Sequence, residues 1–94
     1  MNNELPTIDF ATFVLSLSHS ALMHLGEAPD PETNAVRADL PLAKQNIDIL
    51  GLLEEKTRGN LSGDEERLLA QVLFDLRMRY VERSKSAPGG PNPT

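Results

Sequence analysis

The sequence contains no cysteine and no tryptophan, and its only aromatic residues are three phenylalanines and one tyrosine. Without cysteine the chain has no disulfide framework, no thiolate metal site and no thiol nucleophile. This composition suits a reducing compartment. With so few aromatic rings, leucine, isoleucine and valine must supply most of the area buried in a core.

The chain also lacks a surplus of basic residues, since its net charge is −5. A nucleic-acid-binding domain has a basic footprint, so we do not expect nucleic acid as a partner. The basic residues nevertheless gather late in the chain, at Arg77, Arg79, Arg83 and Lys85. Contact of this end with nucleic acid or an anionic membrane is therefore kept as a third functional interpretation, which steeply salt-dependent binding would identify.

Long apolar runs are missing as well. The most apolar stretch, residues 10–25, contains His19 and His24 and is shorter than the roughly 20 residues of a membrane-spanning helix. Glu4 and Asp9 precede it, whereas a secretory signal begins with a basic region. We therefore expect no membrane span, no signal peptide and a cytoplasmic location.

A length of 94 residues is near the lower end of what a single core stabilises. We predict one all-α domain of three helices over residues 9–84, with a Pro-rich acidic linker at 27–38. Residues 1–8 are predicted to be a flexible N-terminus. Residues 85–94 are predicted to be a disordered tail, because three prolines and a Gly-Gly pair prevent regular hydrogen bonding there.

The middle of the chain predicts the end of one helix followed directly by the start of the next. Lys56 and Arg58 place positive charge on the last turn, and Gly59 can adopt the left-handed conformation that closes a helix. Ser62 and Glu65 have the spacing of a capping box, with Ser62 as the N-cap. So short a connection predicts that the second and third helices form an antiparallel hairpin.

The first helix is predicted to begin near Thr7 to Asp9, either of which can cap it, and to end at Leu25 with Gly26 in the terminating position. At about 100° per residue its apolar side chains span an arc of roughly 200°. A helix packed on one neighbour needs an arc of roughly 100°. We therefore expect this helix to be covered on two sides.

The linker at 27–38 carries two prolines and three acidic residues, a pattern that predicts no buried element. Two arrangements are open at this point. The linker can cross over along the length of a short helix, or its flexible middle can let the first helix swap onto another subunit.

The second helix is predicted to begin at Asp39 to Pro41. Its predicted buried stripe consists of aliphatic residues, namely Leu42, Ala43, Ile47, Ile49, Leu50 and Leu53. Gly51 costs about 1 kcal/mol relative to alanine in mid-helix unless another group needs the space. Asn46 lies within the stripe, and a buried amide needs a hydrogen-bond partner. That partner is either a group on the first helix, such as Ser18, or a group across a symmetric interface.

The third helix is predicted from Gly63 to about Arg83. Its main stripe consists of large side chains at helical spacing, namely Leu68, Leu69, Val72, Leu73, Leu76 and Tyr80. A second, thinner stripe on the far side contains Ala70, Phe74 and Val81. This second stripe predicts a contact surface outside the core.

Several short patterns resemble the small bacterial family catalogued as domain of unknown function 1844: Leu25-Gly26, Ile47-Asp48-x-Leu50, Lys56-Thr57-Arg58-Gly59-Asn60-Leu61, Glu65, and Leu76-Arg77-x-x-Tyr80. The resemblance covers roughly residues 10–80, and the Lys-Thr-x-Gly-Asn-Leu turn is its most specific part. It implies a free-standing, short, helical bacterial protein, and it implies no activity, cofactor or catalytic residue.

Candidate chemistry is sparse. His19 and His24 are five residues apart and so about 140° apart around a helix, which prevents them from sharing a metal. We expect His24 at the edge of a core or interface and His19 in solvent. The carboxylates of the chain have no adjacent base or nucleophile and are interpreted as a solvated face.

The turn before the third helix has polar side chains that could bind an anion together with the free N–H groups of that helix. This candidate anion site consists of Lys56, Thr57, Arg58, Asn60 and Ser62. The structural alternative is that Ser62 caps those N–H groups and that the acidic residues after it repel an anion.

The sequence as a whole predicts a non-enzymatic oligomerisation or protein-interaction module, with no cofactor, metal site or catalytic residue. Its expected partner is itself, as a dimer by default, or another protein. The candidate interface residues are Phe10, Phe13, Val14, Leu17, Ser18, Ala21, Asn46, Phe74 and Val81. The alternative is a ligand- or anion-binding regulatory protein with its site at the Lys56–Ser62 turn or at a subunit interface.

Overall fold

The computed structural model describes residues 7–86, which form three α-helices and no strand. The helices are α1 (Phe10–Leu25), α2 (Leu40–Lys56) and α3 (Gly63–Ser86). The predicted all-α, three-helix class is confirmed. Most of the predicted flexible N-terminus and disordered tail, namely residues 1–6 and 87–94, lies outside the described residues.

The third helix is longer than predicted, because α3 continues to Ser86 instead of ending near Arg83. Lys85 and Ser86 therefore belong to a helix and not to the tail predicted at 85–94. Neither residue breaks a helix, and the first residue in this part of the sequence that does is Pro88. Positive charge on Arg83 and Lys85 also suits the negative end of the α3 dipole.

The ends of α1 are set by local hydrogen bonds. The Asp9 carboxylate accepts a bond from the Thr12 N–H at 2.8 Å, so Asp9 is the N-cap. Gly26 follows the helix with φ of 81°, a left-handed conformation that strains any residue with a Cβ. A Cβ at Gly26 would also lie 3.1 Å from the Ala38 Cβ. Both predicted boundaries of the first helix are therefore present.

The connection from α1 to α2 folds back on itself. The Asp39 N–H donates to the His24 carbonyl oxygen at 2.7 Å, which joins the two ends of the linker. Within it, the Asp30 N–H donates to the Ala35 oxygen at 2.9 Å. The crossover arrangement required the linker to run along the length of a helix. The linker does not do so, because its two ends lie together. None of its residues is buried.

The connection from α2 to α3 contains both predicted closures. The Thr57 hydroxyl and N–H donate to the Leu53 carbonyl at 2.7 and 3.0 Å, and Gly59 has a φ of 86°. The Ser62 N–H donates to the Glu65 carboxylate at 2.9 Å, and the Glu65 N–H donates to the Ser62 Oγ at 3.2 Å. This reciprocal pair is a capping box.

The core lies where the three helices meet, and each pair of helices is in contact. Each helix contributes three wholly aliphatic side chains: Val14, Ala21 and Leu25 from α1, Ala43, Ile47 and Leu50 from α2, and Leu69, Leu73 and Leu76 from α3. The four aromatic residues stay outside this buried set. Both other helices contact α1, so its apolar arc is covered from two sides, but Phe13 and Leu15 within that arc remain exposed.

The buried face of α2 differs from the predicted stripe. Ala43, Ile47 and Leu50 are buried, but Leu42 and Ile49 remain 40% and 41% exposed. The predicted stripe was wider than one face of a helix, and the two neighbouring helices cover only one side of it. The prediction that Leu42 and Ile49 are buried was therefore wrong.

Gly51 lies where α2 meets a long side chain of α3. A Cβ built at Gly51 would lie 3.2 Å from an Nη atom of Arg77. The side chain of Arg77 therefore uses the space that a larger residue at position 51 would fill. The contact involves only the far end of a flexible, exposed side chain, which can move to make room for a methyl group.

Candidate functional site

The outward side of α3 carries a row of exposed apolar side chains. Phe74, Met78 and Val81 are 66, 53 and 49% exposed, and Ala70 is exposed beside them. Their spacing of four, four and three residues keeps them on one face. We call these four residues the outer stripe of α3. It lies away from the leucines that α3 buries in the core.

Met78 was missing from the predicted second stripe, although it lies four residues after Phe74. Residues at this spacing are neighbours on a helix surface. The spacing alone could therefore have identified it. Its inclusion makes the outer stripe continuous from Ala70 to Val81.

Charged side chains flank the outer stripe. Arg67 and Lys85 lie beyond its two ends, and both are exposed. Arg67 forms an ion pair with Asp64, in which the two side chains are 75% and 92% exposed. An ion pair this open to water contributes little to stability. Both groups can therefore exchange this contact for another one.

The structure separates the nine predicted interface residues into three groups. Val14 and Ala21 are fully buried in the core, so they are not available to a partner in this conformation. Phe10, Leu17, Ser18 and Asn46 are half-buried. The exposed members are Phe13, Phe74 and Val81. The apolar arc of α1 is thus used mainly inside the chain.

Asn46 does not have the environment that was predicted for it. Its side chain is half-buried, and within residues 7–86 it forms no hydrogen bond, with Ser18 or with any other group. Asn46 lies at the edge of the buried face of α2, about 40° from the exposed Leu42 on one side and about 40° from the buried Leu50 on the other. Water can therefore reach the amide, which removes the need for a buried partner.

The late basic cluster is partly occupied by contacts within the chain. The Glu27 carboxylate, whose side chain is only 19% exposed, accepts hydrogen bonds from Arg79 and from Arg83, the latter at 3.1 Å. Arg79 also donates to Asp75 at 2.8 Å. Hydrogen bonds to Asp75 and to Glu27 raise the pKa of Arg79. This network fastens the start of the linker to α3, and it reduces the positive charge available to nucleic acid or a membrane.

Two of the five residues of the candidate anion site, Thr57 and Ser62, form capping bonds within the chain, while Lys56, Arg58 and Asn60 are exposed. The Ser62 hydroxyl and N–H bond to Glu65, and the Thr57 hydroxyl bonds to Leu53. A cleft beside the turn is lined by Glu54, Arg58, Leu61, Glu66 and Leu69. This cleft places two carboxylates around one guanidinium, an arrangement that does not favour an anion.

A protein-family model described as "Domain of unknown function (DUF1844)" matches residues 7–82. The chain belongs to this family. The match includes α1, α2 and most of α3, so the resemblance found in the turn and the helices is confirmed. No curated protein and no solved structure matches the chain.

The described part of this DUF1844 chain contains no group of three or more His, Cys, Asp or Glu side chains placed to hold a metal ion. His19 is exposed and His24 is half-buried, as their helical positions predicted. Among residues 7–86, no helix is both long enough and apolar enough to cross a bilayer.

Proposed function

We propose that this DUF1844 chain is a non-enzymatic module that assembles with copies of itself or with another protein. One observation carries the proposal: α3 presents Phe74, Met78 and Val81 to solvent on the side away from its buried leucines. Burying apolar surface stabilises an assembly by roughly 25 cal/mol per Å². Continuous exposed apolar patches are typical of interaction sites.

Other features support an assembly built on the helix surfaces. Phe13 and Leu15 of α1 are also exposed, so α1 can extend the contact. The six-residue connection at 57–62 favours an antiparallel order of α2 and α3, which would present α3 along its full length. A cytoplasmic location is part of the proposal, because a chain without cysteine needs no oxidising compartment.

The ligand- and anion-binding alternative has less support. The hydroxyls of Thr57 and Ser62 and the N–H groups of Ser62 and Glu65 already bond to groups of the same chain. The neighbouring cleft adds Glu54 and Glu66, whose negative charges oppose anion binding.

Sedimentation velocity from micromolar to several hundred micromolar protein tests the proposal. We expect the wild-type chain to reach at least twice the monomer mass of 10.3 kDa. Phe74→Glu should shift it to monomer while circular dichroism stays unchanged, because Phe74 is outside the core. Leu52→Glu is the matched control, since Leu52 is 56% exposed on α2 but outside the outer stripe. A wild-type monomer at every concentration would overturn self-assembly.

A further inference from the structure

The exposed charges along α3 follow an order that concerns the outer stripe directly. At about 100° per residue, Arg67 and Lys85 lie about 20° from Phe74 around the helix, and Asp64 and Glu82 lie about 80° from it on the same side. All four charged residues are exposed. Asp64 and Arg67 precede Phe74 by ten and seven residues, and Glu82 and Lys85 follow it by eight and eleven. Among these four residues the order of charge is therefore negative, positive, negative, positive. Asp75 lies about 100° from Phe74 on the same side, and its carboxylate is paired with Arg79 at 2.8 Å within the chain.

This order is self-complementary only when two copies of α3 run in opposite directions. If a second copy is turned end to end about a point just beyond Phe74, its Lys85 faces Asp64 and its Glu82 faces Arg67. The two-fold symmetry repeats both contacts, which produces four opposite-charge pairs. In a parallel pair in register, Arg67 would face Arg67 and Lys85 would face Lys85 of the second copy, and like charges disfavour association.

The apolar side chains fit the same arrangement. The rotation places Phe74 beside Phe74 of the second copy, and it places the small Ala70 opposite the long Met78. Offset or edge-to-face aromatic pairs are favourable, and a small residue opposite a large one allows two helices to interdigitate. The apolar pattern and the charge pattern therefore select antiparallel registers that agree to within one residue, or about 1.5 Å along the axis.

From these two patterns we infer that the outer stripe of α3 docks antiparallel on the outer stripe of a second copy, about a two-fold axis close to Phe74. The inference rests on the proposed self-assembly. It specifies the partner as a second copy of the chain, the two α3 helices as antiparallel, and the register by the axis near Phe74. The area that one helix buries against one other helix is smaller than the roughly 800 Å² per partner of a standard interface. We therefore expect a dissociation constant on the order of micromolar or weaker.

Disulfide trapping tests the register, because the chain has no cysteine of its own. In the antiparallel pair, residue 70 of one copy faces residue 78 of the other, whereas the two copies of residue 70 are about 13 Å apart along the axis. Mixing Ala70→Cys with Met78→Cys should produce a mixed disulfide dimer, which mass spectrometry identifies. Neither variant alone should cross-link efficiently. Met78→Cys mixed with Val81→Cys is the control, since those positions would be about 15 Å apart.

The possible failures are distinguishable. If the wild type is a dimer but Ala70→Cys cross-links with itself, the helices are parallel and the inference is wrong. If the wild type is a dimer and no mixture cross-links, another surface forms the dimer and the inference is again wrong. If the wild type is a monomer by sedimentation at every concentration, the proposed self-assembly itself fails.

A charge exchange gives an independent readout. Arg67→Glu should raise the dissociation constant about tenfold, because it turns two attractive contacts into repulsive ones. Adding Glu82→Arg should restore it to within a few-fold of wild type. Arg58→Glu, at an exposed cation outside α3, should have little effect. A double variant that binds no more tightly than Arg67→Glu alone would contradict the register.

Discussion

Replacing Gly51 with alanine tests whether the space beside α2 is needed. Alanine is favoured over glycine in a helix interior by about 1 kcal/mol. The new Cβ would lie 3.2 Å from an Nη atom of Arg77, a few tenths of an ångström closer than a comfortable contact. That atom is the far end of a long, exposed side chain, which can rotate away at little cost. We therefore expect Gly51→Ala to stabilise the chain by about 0.5 to 1 kcal/mol.

The assay is thermal and urea unfolding followed by circular dichroism. A domain of this size gains roughly 4 to 8 °C in Tm per kcal/mol, so we expect a rise of about 2 to 8 °C. Arg77→Ala in both backgrounds completes a double-mutant cycle. The reasoning would be refuted if Gly51→Ala lowers the Tm and the addition of Arg77→Ala removes that loss. Such a result would show that the position of the Arg77 side chain over Gly51 stabilises the fold.

Two further predictions concern the connections between helices. Gly59→Val should destabilise by roughly 1 to 3 kcal/mol, since Gly59 has a φ of 86° with open space around it and only backbone strain is at issue. Gly63→Ala is the control, because its Cβ would meet only the Arg67 side chain at 3.5 Å. If Gly59→Val and Gly63→Ala have the same unfolding curve, Gly59 does not close the helix in the way described. Glu27→Gln should cost about 1 kcal/mol through its ion pairs with Arg79 and Arg83. The loss in urea midpoint should shrink in molar salt because the charges are screened, and a loss that salt does not change would mean that packing holds the linker.

The ends of the helices, except the C-terminal end of α3, could be predicted from the sequence because they depend on groups within a few residues. Asp9 bonds to Thr12, Gly26 adopts the left-handed conformation, and Ser62 exchanges hydrogen bonds with Glu65. Such contacts form within one turn of helix, so neither the core nor the other helices are needed to specify them. The outer stripe of α3 could be predicted in the same way, since helical periodicity alone separates Phe74 and Val81 from the buried leucines by about 80° to 160°.

Only the tertiary structure decided which part of each wide apolar arc is buried. The arc of α2 is compatible with several rotations about the helix axis, and contact with α1 and α3 selects the one that leaves Leu42 and Ile49 exposed. The same packing placed Val14 and Ala21 in the core instead of in an interface. Periodicity reports which residues share a face, but not how much of that face the neighbouring helices cover.

The long-range polar contacts were also decided only by the tertiary structure. Glu27 and Arg79 are 52 residues apart in the chain, and no local pattern relates them. Arg77 is likewise far in sequence from Gly51, the position it packs against. Ion pairs of this kind depend on the relative placement of whole helices, which the core determines, and a one-dimensional pattern of charges does not contain that placement.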